Sequence, residues 1–133
     1  VETTTVARIT LDYGDAEATD QAALRLLAEL RGLDEVRRAE RERVPVAAGD
    51  RPGGDLRSPE IIAVGTLLAT IAMTPEVLGG VLSYLGEWLH RPGNRRGSIH
   101  LRMPDGKEIA LDNPSAEERR KLIDAFIREM RRR

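Results

Sequence analysis

Apolar and polar residues alternate with a period of two from Thr3 to Leu11. Ala7, Ile9 and Leu11 fall on one side and Arg8 and Thr10 on the other, which predicts a strand with one wet face. Past the turn Tyr13-Gly14-Asp15 the period lengthens. Ala23, Leu24, Leu27 and Leu30 make an apolar stripe, so a helix is expected from Glu17 or Asp20 to Leu30, with Arg25 and Glu29 as an outward i,i+4 pair. Gly32 is placed to end it in a left-handed conformation, with Leu33 folding back on the last turn. The stretch Asp34 to Val44 is expected to hold a second strand. Its arginines and glutamates suit a sheet edge, although Val36 and Ala39 would lie on opposite faces.

The longest apolar block runs from Ile61 to Leu89, where Glu76 and Glu87 are the only charged residues. Ser58-Pro59-Glu60 and Thr74-Pro75-Glu76 repeat one start signal: a hydroxyl cap, proline at the first helical position and a carboxylate at the positive end. The block therefore reads as two helices, Pro59 to Met73 and Pro75 to about His90, the second stopped by Arg91-Pro92-Gly93. At 1.5 Å per residue the run Ile61 to Thr74 would rise only ~21 Å, short of the ~30 Å of a bilayer core, so membrane contact is not expected. In the second helix Leu78, Val81, Leu82, Leu85 and Leu89 form one stripe, widened by Val77, Tyr84 and Trp88. Gly79, Gly80, Ser83 and Gly86 line much of the remaining side. Three interior glycines at ~1 kcal/mol each call for close packing in return. So wide an apolar surface on so small a chain is expected to serve as an oligomer interface through Val77, Leu78, Val81, Leu82, Tyr84, Leu85, Trp88 and Leu89, with a dimer favoured.

Two further strands alternate clearly: Ile99, Leu101 and Met103, then Ile109 and Leu111. A three-residue loop Pro104-Asp105-Gly106, with Gly106 left-handed, sets Leu101 opposite Ile109 and keeps both apolar rows on one face. Ser115 and Glu118 form a capping box for a last helix striped by Leu122, Ile123, Phe126, Ile127 and Met130. The expected fold is a single α+β domain over residues 1–133, ordered β-α-β-α-α-β-β-α, with helices on a small mixed sheet of about four strands.

Composition narrows the chemistry. Hydrophobic residues make up 41% and charged residues 32%, a globular balance, but aromatics are only 3%, so Leu, Ile, Val and Ala must build the core. The absence of cysteine removes disulfides, thiolate metal sites and cysteine nucleophiles. No signal peptide opens the chain, so a cytoplasmic location is expected. The net charge of -1 offers no general attraction to nucleic acid, and the basic end Arg128, Arg131, Arg132 and Arg133 lacks the aromatic platforms of a nucleic-acid binder.

The candidate catalytic and metal groups lead nowhere specific. His90 reads as a helix C-terminal cap and His100 as a surface residue. Asp12, Asp15, Glu17 and Asp20 lack the spacing of a calcium loop and suit the start of a helix instead. The Gly/Pro/Asp-rich stretch 47–57 is expected to be an internal connector. It has neither a Gly-Lys-Ser/Thr ending nor a G-x-G-x-x-G pattern, and no catalytic residue, cofactor or metal is expected.

Taken in order, Ala7-Arg8-Ile9-Thr10 leading to Leu24 and Leu27, the Pro45 to Gly54 connector, the Gly-interrupted Ile61 to Leu89 block and Ser98 through Ile109 resemble the effector-associated constant component family, of its first type. The chain departs from that pattern in its polar, aromatic-poor second strand. The resemblance implies a bacterial, chiefly actinobacterial, non-enzymatic adaptor associated with caspase-like or trypsin-like peptidase effectors in conflict or signalling systems. It carries no catalytic residues over. The competing expectation is a small-ligand or nucleotide sensor using the Gly49 to Gly54 loop and the arginines near it.

Overall fold

The computed structural model describes residues 3–45, 60–93, 97–111 and 115–131. Five strands and three helices follow in the order β1 (Thr4–Asp12), α1 (Ala16–Arg31), β2 (Val36–Pro45), β3 (Glu60–Ala72), α2 (Pro75–Leu89), β4 (Ser98–Arg102), β5 (Glu108–Ala110) and α3 (Ala116–Arg131). The fold is α+β, as expected. The strands form one sheet in the order β2-β3-β1-β4-β5, and every neighbouring pair is antiparallel.

One element differs in kind from its expectation: the first half of the apolar block is strand β3, not a helix. It lies between β2 and β1, so the sheet has five strands instead of four. Its composition explains this. Ile61, Ile62, Val64, Thr66, Thr70 and Ile71 are β-branched, and such side chains lose rotamer freedom in a helix but pack well on a pleated surface. Residues Leu67, Ala69 and Ile71 are fully buried, while Thr66, Leu68 and Thr70 turn to the other face. Gly65 makes the bend possible. It has φ +80°, and a Cβ there would sit 2.6 Å from the Leu11 carbonyl oxygen and 2.5 Å from Thr19 Cγ2.

Strand β2 is an edge strand, as its charges suggested. Val36 and Ala39 nevertheless both reach the core, because a register shift between Val36 and Arg38 brings them to one side. Helix α1 opens on Asp15, whose Oδ1 accepts from the Ala18 N–H at 2.7 Å. It buries Ala22, Ala23, Leu26, Leu27 and Leu30, whereas Leu24, assigned to the stripe from sequence, is 45% exposed. Gly32 closes the helix at φ −89° instead of in the left-handed region, and Leu33 still packs back onto the core.

The β4–β5 hairpin has the expected register, with Leu101 opposite Ile109 and Gly106 at φ +95°. In α3, Ser115 Oγ accepts from the Glu118 N–H at 3.0 Å. Ile123 and Phe126 are buried, Ile127 and Met130 half-buried, and Leu122 turns outward. All three helices lie over the same side of the sheet: α1 over β1, β2 and β3, α2 over β3 and β4, and α3 against α2 and β5. No helix among the described residues is long and apolar enough to cross a membrane.

Candidate interaction surface

The eight residues expected to form an oligomer interface lie in the chain's own core. Leu78, Val81, Leu82, Leu85, Trp88 and Leu89 are buried, and Val77 and Tyr84 are half-buried against them. The helix is wide in its apolar surface because it has neighbours on three sides: the sheet beneath, α3 along one flank and, through Tyr84 and Trp88, α1 along the other. Thr74 caps it, its Oγ1 accepting from the Val77 N–H at 3.2 Å.

Two glycines on one flank admit α3. The Gly79 Cβ position lies 3.2 Å from Ile127 Cδ1, and at Gly86 a Cβ would meet Arg119 Cδ at 2.4 Å. Arg119, only 9% exposed, thus lies across the helix backbone and reaches His90, with Nη1 3.2 Å from Nδ1. His90 Nδ1 is 2.9 Å from the Gly86 carbonyl oxygen, a contact that places the imidazole at the negative end of α2. An open groove of about 440 Å³ remains between α2 and α3, floored by Gly79, Gly80 and Ser83 and walled by Ile123 and Ile127.

A polar cluster ties α2 to α1. The Glu29 carboxylate accepts from Tyr84 Oη, from Trp88 Nε1 at 2.9 Å and from Arg91 Nη1 at 2.8 Å, and the Arg91 guanidinium stands 5.7 Å above the Tyr84 ring. Glu29 therefore turns toward α2, not along α1 toward Arg25 as the spacing suggested. Burial alone pushes the Glu29 carboxyl up. The hydrogen bonds from Tyr84, Arg91 and Trp88 and the Arg91 charge outweigh it, and the net direction is down. The Tyr84 hydroxyl is pushed up by burial and by the carboxylate it serves.

The acidic residues at the first helix divide into separate roles. Asp15 caps α1, Asp12 Oδ1 accepts from the Gly14 N–H at 2.9 Å, and Asp20 pairs with Arg41. Among the described residues no group of three or more His, Asp or Glu could hold a metal ion. The Gly49 to Gly54 loop and the Ser58 cap lie outside the described residues.

Among the described residues, no helix lies on the other face of the sheet. Directly opposed residues of antiparallel strands share a face, so the registers fix which side chains stand together. One row across the outer face reads Glu40, Leu68, Arg8, Arg102, Glu108 from β2 to β5. The next reads Thr66, Thr10, His100, Ala110, and the row on the other side Arg38, Thr70, Val6. Arg8 stands directly opposite Arg102, a like-charge arrangement that disfavours the isolated sheet. Glu42 relieves one of them, with Oε1 2.7 Å from Arg8 Nη2. The carboxylate opposite Arg102, Glu108, instead engages His100 Nδ1 at 3.1 Å. Arg8 and Arg102 border two adjoining depressions of about 460 Å³ each, one polar with Thr10 and Thr66, the other bordered by Val6 and Leu68.

Sequence alternation had marked Arg8, Thr10 and His100 as a wet face without giving them neighbours. Which strands lie side by side was the missing information, since β1 meets β3 and β4 across long stretches of chain. Comparisons with protein-family models, with curated proteins and with solved structures gave no match.

Proposed function

We propose that this chain is a non-enzymatic interaction module of the cytoplasm, an oligomerising adaptor that works through the uncovered face of its sheet. The observation that carries this reading is the one-sided sheet. Among the described residues helices cover only the inner face, and the outer face sets guanidinium groups, carboxylates, hydroxyls and a few apolar side chains in rows. Such a mixed surface suits a protein interface of the reversible kind, in which polar groups supply specificity. The sequence resemblance to effector-associated constant components supports a peptidase-type effector as the activity that the module serves.

Light scattering coupled to size exclusion, over a wide range of protein concentration, tests the oligomerising role. A mass that rises with concentration toward that of a small closed oligomer is expected. A monomer at every concentration refutes it. Leu82→Asp is the wrong probe, because Leu82 is fully buried and the variant reports folding instead of association.

A further inference from the structure

We propose that two copies of this chain pack their uncovered sheet faces together about a two-fold axis running along the strands between β1 and β3. This rests on the oligomerising reading above and adds which surfaces meet and in what register. Half a turn about such an axis keeps each residue at its own height along the strands and exchanges the columns. Strand β3 then lies over the partner's β1, and β2 over the partner's β4.

The pairings follow from the registers. Glu40 and Arg102 belong to one row, so Glu40 faces the partner's Arg102 and Arg102 faces the partner's Glu40. Glu42, which borders the depression holding Thr10, Thr66 and His100, comes toward the partner's His100. Thr66 meets the partner's Thr10, and Thr70 meets the partner's Val6. The second copy thus brings a carboxylate to Arg102, the guanidinium that stands opposite Arg8 in the single chain.

Neighbouring axes do worse. An axis along β1 sets Arg8 on the partner's Arg8 and Glu40 against the partner's Glu108. An axis between β1 and β4 brings Arg8 against the partner's Arg102. An axis along β3 matches Glu40 with the partner's Arg8, but it engages three strands instead of four and leaves Arg102 outside. Four strands at ~4.8 Å spacing and a height of ~20 Å give roughly 400 Å² on each copy. That is about half the patch of a standard stable interface, so the association is expected to be weak and concentration-dependent.

The test is a charge swap. Glu40→Arg alone sets arginine against the partner's Arg102, and Arg102→Glu alone sets glutamate against the partner's Glu40, twice in each symmetric dimer. Each variant should dimerise roughly a hundredfold more weakly than wild type, or not at all, in sedimentation or light scattering. An equimolar mixture of the two restores opposite charges at both contacts, and a heterodimer should form. Both positions are partly or fully exposed, so circular dichroism should show unchanged folding, and Arg128→Glu on α3 should leave the dimer intact.

Single variants that associate as wild type does, or a mixture that stays monomeric while wild type dimerises, overturn this packing and leave the oligomerising role standing. Loss of the dimer with Arg8→Glu but not with Arg102→Glu overturns the register in favour of the β3 axis. A monomeric wild type refutes both the packing and the oligomerising role.

Discussion

Replacing Glu29 tests whether the cluster between α1 and α2 holds the helical layer together. Its carboxylate takes three donors from a single helix and the residues just past it. The bond from Trp88 matters most, because Trp88 is 1% exposed and its ring N–H loses this acceptor at a depth water reaches poorly. A hydrogen bond to a charged acceptor contributes ~1.5–3 kcal/mol. The half-exposed Tyr84 hydroxyl adds about 1 kcal/mol. The Arg91 pair, with its side chains 48% and 34% exposed, is screened by solvent and adds little. Removing the carboxylate also relieves its own desolvation, so Glu29→Ala is expected to cost about 2–3 kcal/mol. Roughly 3–5 °C per kcal/mol for a chain of this size makes that a fall of about 10 °C in Tm.

Urea unfolding followed by tryptophan emission is the direct assay, since Trp88 is the only tryptophan and reports from within the cluster. Glu29→Gln keeps an acceptor oxygen and should lose about half as much. The pH dependence fixes the cause. The folded Glu29 value lies below the unfolded one, so its contribution is complete above the ordinary glutamate range near ~4.3 and is lost as pH falls through the folded value. The gap between wild type and Glu29→Gln should therefore be widest at neutral pH and narrow in acid. A constant gap from neutral to acid, or a cost for Glu29→Ala below about 0.5 kcal/mol, would refute this account of the cluster.

Three other substitutions probe the frame. Gly65→Ala forces a side chain into a positive-φ bend against the Leu11 carbonyl and Thr19, and should cost about 3 kcal/mol by thermal melting. Leu82→Asp buries a carboxylate in the core, so loss of the cooperative transition is expected, and a folded Leu82→Asp with unchanged melting would contradict the burial of this side of α2 against the sheet. Asp15→Ala removes the α1 cap and should lower stability by ~1 kcal/mol, with Asp15→Ser recovering most of it in the same denaturation series.

The elements legible in the sequence were those whose signals are local. β1 alternates over its whole length, the β4–β5 hairpin carries its register in the loop chemistry of Pro104 to Gly106, and Thr74 and Ser115 announce α2 and α3. β3 was misread because its outward positions Thr66, Leu68 and Thr70 are uncharged, which erases the contrast that separates strand from buried helix. Its β-branched content held the answer. In β2 the displaced residue at the register shift hid the common direction of Val36 and Ala39. Glu29 looked like half of a local pair because Tyr84 and Trp88 are more than fifty positions away in the chain.

The outer face of the sheet follows a different logic from the core, and that difference is why the proposed partner surface lies there and not on α2. Apolar breadth on α2 is accounted for by elements of the same chain: β3 and β4 below, α3 and α1 on its flanks. Breadth of apolar surface alone is thus no sign of a partner when the helix has neighbours of its own. A surface held ready for a partner carries another mark, namely polar groups arranged at some cost to the isolated chain. Arg8 directly opposite Arg102 on the neighbouring strands β1 and β4 has that character, because directly opposed like charges weaken a sheet. The chain answers one of the two with Glu42 and commits Glu108 to His100, so the imbalance persists at Arg102. A carboxylate arriving from outside corrects it, and the chain itself presents Glu40 in the matching row, held within its own chain only by an exposed pair with Arg38 at 3.1 Å that solvent screens.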